Sequence, residues 1–121
     1  MPVSEEYREY VRDLFTAFGA IRIRSMFGGA GIFRDDLMFG LIIDDQIYLK
    51  VDDHNRTDFE DAGQDPFLFE RKDGRTMAMS YYLIPDALYD DTDELAVWAK
   101  NAFAAAQRAA IKKAPRLVKK K

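Results

Sequence analysis

Three glycines within four positions, Gly28, Gly29 and Gly31, interrupt an apolar run that resumes immediately beyond them. The segment reads Arg24-Ser25-Met26-Phe27-Gly28-Gly29-Ala30-Gly31-Ile32-Phe33. Glycine reaches positive φ without steric cost, so this spacing predicts a sharp strand reversal or a bulge. Phosphate-cradling loops use similar spacing, but their glycines open a helix whose N-terminal amides face the anion. Here Ile32-Phe33-Arg34-Asp35-Asp36 follows, a short strand and then a turn, which favours a structural hairpin.

Further punctuation extends the pattern. Asp35-Asp36 separates Ala30–Arg34 from Leu37–Ile43, and Asp44-Asp45-Gln46 separates the latter from Ile47–Val51. In that last run Ile47, Leu49 and Val51 alternate with Tyr48 and Lys50, as a strand with two unlike faces requires. Gly40 inside a strand predicts a bulge or a close neighbour. Asp73-Gly74 lies between Pro66–Lys72 and Arg75–Leu83, a strong hairpin signal. Links this short impose antiparallel pairing, because parallel strands need long crossovers.

Helical spacing flanks the strands. Tyr7, Tyr10, Val11, Leu14, Phe15 and Phe18 line one face of a helix expected from Ser4, its cap, to Gly19, its stop. A polar helix with Phe59 as anchor is expected over Asp52–Gly63. Asp91 and Glu94 form a capping box for a long helix with Leu95, Trp98, Ala99, Ala102, Phe103 and Ala106 on one face. The reading is α+β: one antiparallel sheet of five or six strands with helices at the N-terminus, middle and C-terminus.

With 121 residues and 48% hydrophobic content, the chain suits one folded domain. The sequence contains no cysteine, which excludes disulfides and thiolate chemistry. An apolar signal core is lacking, as is any run of the roughly 18 apolar residues that a span needs, so a cytoplasmic protein is expected. The net charge of −3 conceals a division. Residues 1–107 hold 11 basic and all 21 acidic side chains, a net of −10, and are taken as the domain. Residues 108–121 form a basic tail carrying Arg108, Lys112, Lys113, Arg116, Lys119, Lys120 and Lys121. Such a tail suits a phosphate backbone or simple solvation, with fraying after Pro115.

Catalytic, cofactor and metal sets are not found. His54 and Asp58 offer two ligands on a helical face, too few for a site. The aspartate pairs sit at turns, where backbone preference explains them, and neither Ser25 nor Ser80 sits in an elbow motif. Met77, Met79, Tyr81 and Leu83 share one strand face and read as core. Ala78, Ser80 and Tyr82 face the other way, toward a covering helix or a partner groove. Arg22 and Arg24, on one face of the first strand, are placed to grip an anion or a partner's carboxylate.

Taken together, the glycine segment, Met38-Phe39-Gly40-Leu41, Leu49-Lys50-Val51-Asp52 and Met79-Ser80-Tyr81-Tyr82 resemble the N-terminal domain of the TfoX/Sxy family. Pro85, Asp93-Glu94-Leu95 and Trp98-Ala99 fit the same pattern, so the likeness runs from about Ile21 to Ala106. The family includes regulators of natural competence thought to act with the cyclic-AMP receptor protein. The resemblance thus implies a non-enzymatic regulatory or protein-interaction role, an α+β fold and no catalytic residue. Two departures stand out: Ala30 occupies a position usually aromatic, and the full-length regulators carry a second, C-terminal domain.

The leading expectation is a cytoplasmic interaction module that modulates transcription through a protein partner, without a cofactor. Arg24, Met26, Phe27, Gly28, Gly29 and Gly31 are the expected contact residues. Alternatives are nucleic-acid binding by the basic tail and a small-ligand binder or enzyme near Tyr81 and Tyr82. Exposed edge strands also allow a homodimer.

Overall fold

The computed structural model describes residues 3–26 and 28–119, of which 113–119 are described in backbone course alone. The chain runs α1 (Glu5–Leu14), β1 (Arg22–Met26), β2 (Gly29–Arg34), β3 (Leu37–Ile43), β4 (Gln46–Lys50), α2 (Arg56–Asp61), β5 (Pro66–Glu70), β6 (Thr76–Leu83) and α3 (Thr92–Lys119), with a 3-10 turn at Asp86–Asp90. The six strands form one sheet, ordered β1-β2-β3-β4-β6-β5 and antiparallel throughout. The expected α+β arrangement is therefore observed.

Turn chemistry sets the meander. Asp35 and Asp36 have φ of 50° and 64°, and Asp44 and Asp45 have 50° and 58°. Positive φ at both central residues is what a type I′ hairpin needs, and aspartate tolerates it better than most side chains. One further irregularity builds the core. Ile32 pairs with Gly40 whereas Phe33 pairs with Met38, leaving Phe39 as the extra residue of a bulge. Phe39 is fully buried, and its ring meets those of Phe15, Phe18 and Phe103 at 5.1–6.0 Å.

The helices cover a single face of the sheet. Ala30, Ile32, Ile42, Ile47 and Leu49 share the core with Val11, Leu14 and Phe15 of the N-terminal segment, Phe59 of α2, and Leu95, Ala99, Ala102 and Ala106 of α3. Burying such side chains is the main favourable term, roughly 1.5–3 kcal/mol for each large one.

Several local expectations need correction. Helix α1 ends at Leu14, not at Gly19. The chain then tightens through Thr16 N–H to Asp13 O and Phe18 N–H to Phe15 O, which turns Phe15 and Phe18 together onto Phe39. Helix α2 begins only at Arg56, because Asn55 diverts the backbone before it. The Asn55 Oδ1 accepts from Asp52 N–H at 2.8 Å, and its Nδ2 donates to Lys50 O at 3.0 Å. Asn55 is the one buried polar residue among the described residues, so these bonds offset its desolvation. Asp91 caps α3 by accepting from Glu94 N–H, but Glu94 does not reach back: its carboxylate takes the indole N–H of Trp98.

Candidate partner-binding face

Strand alternation places Arg22, Arg24 and Met26 of β1, opposite Phe33, Gly31 and Gly29 of β2, on the face away from the helices. Register carries this face onward through Met38 and Leu41, then Tyr48 and Lys50, then Leu83 and Tyr81. The result is a sheet side rich in methionine and aromatic groups. Leu41 and Tyr81 are buried within it, and Met26, Phe33, Met38, Tyr48 and Leu83 are half-buried.

Gly29 and Gly31 give this face its relief. A Cβ on Gly29 would stand 2.2 Å from the Ile42 carbonyl oxygen, so β2 and β3 approach there more closely than any side chain allows. A Cβ on Gly31 would stand 2.7–2.9 Å from Met38 Sδ, Phe33 Cε1 and Met26 Sδ. Three flexible or aromatic side chains thus converge over bare backbone. Gly28, with φ of 78°, serves the reversal between Met26 and Gly29. Phe27, also expected at this site, lies outside the described residues.

Charge rims the apolar surface. The Arg24 guanidinium lies 5.6 Å from the centre of the Phe33 ring, a cation–π distance. Arg22 Nη2 meets Asp36 Oδ1 at 2.5 Å, both exposed. On the far side, Lys50 Nζ donates to Ser80 Oγ at 2.8 Å and lies 5.1 Å from the Tyr81 ring centre. Burial pushes the Tyr81 phenol up to about 12, so it stays a neutral hydrogen-bond donor at physiological pH.

One sequence expectation about this face is reversed. Met77, Met79, Tyr81 and Leu83 are not a core stripe, because Tyr81 and Leu83 pair with Lys50 and Tyr48 on the helix-free side. Tyr82 turns to the helices instead, its ring 5.7 Å from that of Phe59. Alternation alone shows that the two stripes oppose each other; only the pairing register decides which one the helices cover. Ala30, set apart above as a departure from the resembling pattern, is fully buried on the helix side, so a ring at this position would be a core contact.

The basic segment is less uniform than its composition suggests. Arg108 forms a two-pronged pair with Asp52, Nε to Oδ2 at 2.6 Å and Nη2 to Oδ1 at 3.0 Å. That bond, the largest cause, holds the Asp52 carboxyl at about 2. Arg108 therefore ties α3 to the end of β4, a role that spacing did not reveal. Lys112 is exposed beside a cleft of about 360 Å³ that also borders Lys50, Asp52, His54, Arg56 and Arg108. Arg56 is paired there with Asp53. Lys120 and Lys121 lie outside the described residues, as do the side chains of Lys113, Arg116 and Lys119.

His54 is not on a helix face with Asp58. It sits in the turn before α2, its N–H donating to Asp52 Oδ1 at 2.9 Å. Among the described residues, no three His, Asp or Glu side chains are grouped to hold a metal ion. Nor is any helix among them long and apolar enough to cross a membrane.

Comparison with known proteins bears on the family of this chain. The DNA transformation protein TfoX1 of Aliivibrio fischeri is 33% identical over 70 residues, which are 58% of this chain. Those residues make up 32% of that relative, so the match spans about a third of its length. The family model of the TfoX N-terminal domain matches residues 13–106, which takes in every strand, α2 and the buried part of α3. The chain belongs to the TfoX N-terminal domain family.

Proposed function

We propose that this chain is a non-enzymatic protein-interaction domain of the cytoplasm that modulates transcription by docking a regulatory protein on the helix-free face of its sheet. The observation that carries the reading is the convergence of Met26, Phe33 and Met38 over Gly31 at the β1 edge, beside the Arg24 guanidinium. Methionine adapts to irregular surfaces, aromatic groups supply contact area, and arginine anchors a partner's carboxylate. These are features of an interface centre. A substrate site would instead bring a nucleophile, base or metal-ligand set to this face.

Family membership suggests the class of partner. The matched relative is named for DNA transformation, and the resemblance of the motifs points to the cyclic-AMP receptor protein as the partner to try first. The test is calorimetric titration of that protein with this chain and with its Arg24→Glu and Met26→Glu variants. Binding weakened at least about tenfold by each variant, at unchanged circular dichroism, supports the reading; tenfold corresponds to about 1.4 kcal/mol. Binding that both variants leave intact overturns the assignment to this face.

A further inference from the structure

Strand β6 is longer than the sheet that holds it. Its pairs with β4 are confined to Tyr81, Tyr82 and Leu83, and the last bond on that side is Val51 N–H to Ser80 O. From Thr76 to Met79 the strand pairs only with β5, so the hairpin projects as a two-stranded arm. Isolated ribbons of this kind are marginal in water. This one also exposes large apolar groups: Leu68 is 56% exposed, Phe69 42% and Met77 40%.

The inner edge of the arm is open. Ser80 O points toward β4 and Arg75 O is taken by Arg71 N–H on the β5 side. Alternation between them aims the backbone groups of Thr76 and Ala78 away from β5, at an edge with no described strand beside it. The sheet's other two edges carry the usual protection. β1 has Arg22 and Arg24, and β5 opens on Pro66 and closes on Glu70. Thr76-Met77-Ala78-Met79-Ser80 has neither charge nor proline.

We propose that this edge pairs with the same edge of a second copy, about a two-fold axis at Met77. An antiparallel register centred there sets Thr76 of one copy against Ala78 of the other. Each Thr76 N–H then donates to the mate's Ala78 carbonyl, and each Ala78 N–H to the mate's Thr76 carbonyl. Phe69 and Met77 are cross-strand neighbours, so the axis gathers both with their mates into one apolar cluster. The edge is its own complement, which favours a second copy as the occupant. Thr76 and Ala78 each turn an N–H and a carbonyl away from β5, and the two-fold axis sets each of these pairs against its counterpart in the mate. Thr76 to Ser80 carry no charge, so two copies of this edge meet without like-charge repulsion.

The test is sedimentation equilibrium of the full chain at sub-millimolar concentration, beside Met77→Lys, Met77→Glu and their equimolar mixture. The axis predicts a wild-type mass of twice 13.9 kDa, monomeric single variants, and a mixture that regains the doubled mass as Lys meets Glu. A monomeric wild type, dimeric single variants, or a mixture that stays monomeric would each overturn the proposal. Because Met77 is exposed, both variants should keep the far-ultraviolet spectrum of the parent.

Discussion

Alanine at Gly29 and alanine at Gly31 are the same chemical change two residues apart on one strand face, yet the structure gives them different costs. At Gly29 the new Cβ would lie 2.2 Å from the Ile42 carbonyl oxygen and 2.8 Å from Ile43 Cδ1. The oxygen is backbone held in the β2–β3 ladder, so the strands must part by roughly 1 Å to restore van der Waals contact. Overpacking of this severity costs about 1–3 kcal/mol, and weakening an adjacent ladder hydrogen bond adds about 1 kcal/mol. The expected loss is therefore about 3 kcal/mol, a fall of roughly 10 °C in Tm for a domain of this size.

At Gly31 the obstructing atoms are Met38 Sδ, Phe33 Cε1 and Met26 Sδ, the outer parts of side chains able to swing aside. Restricting the unfolded chain offsets part of that cost, leaving a loss of about 1 kcal/mol or less. Urea unfolding followed by circular dichroism measures both. A Gly29→Ala loss below about 1 kcal/mol, or equal losses at the two sites, would refute the reasoning about close strand approach.

Three other perturbations follow from single contacts. Asp52→Asn should cost about 1 kcal/mol at pH 7, after allowing for solvent screening of a partly exposed pair. The Asp52 carboxyl falls from its usual 3.8 to about 2, so the pair's contribution is full above pH 4 and lost as pH drops toward 2. The gap between wild type and variant should then narrow steadily from pH 4 to pH 2, and a gap of undiminished size at pH 2 would contradict the pairing. Asn55→Ala removes both bonds to the Asp52 and Lys50 backbone at a buried position, which should cost about 2 kcal/mol by the same urea titration. Replacing Asp35-Asp36 by Asn-Gly should raise the unfolding free energy by roughly 0.5–1 kcal/mol in the same titration, since both positions hold positive φ; a lowered stability would count against a type I′ turn.

Much of the fold was legible because its signals are local. Paired aspartates, Asp73-Gly74 and the glycine cluster mark reversals by backbone preference alone, and Phe59 and Leu95 to Ala106 mark helix faces by spacing. What stayed hidden depended on partners distant in sequence. The diversion of the backbone by Asn55 rests on Lys50 and Asp52. The bulge that buries Phe39 depends on how β2 meets β3. Helix α1 stops early because Phe15 and Phe18 both find Phe39.

The geometry of the candidate face was legible to a similar depth. Arg24, Met26, Gly29 and Gly31 do share one face, as residues alternating along two paired strands must. Tyr81, Leu41 and Tyr48 join them only through strand order, which no short motif encodes. Arg108 looked like one charge among seven in a basic tail, but its guanidinium is committed to Asp52, 56 residues earlier. A composition count cannot distinguish a solvated cation from one spent on holding a helix in place.

The most direct test of the central claim is a residue-resolved map of the bound surface. Amide chemical shifts of the isotopically labelled chain would be followed as unlabelled cyclic-AMP receptor protein is added. The account predicts changes concentrated at Arg24, Met26, Gly31, Phe33 and Met38, with the helix-side residues Leu95 to Ala106 unmoved. Changes centred on Arg108 and Lys112, or no changes at all, would contradict it.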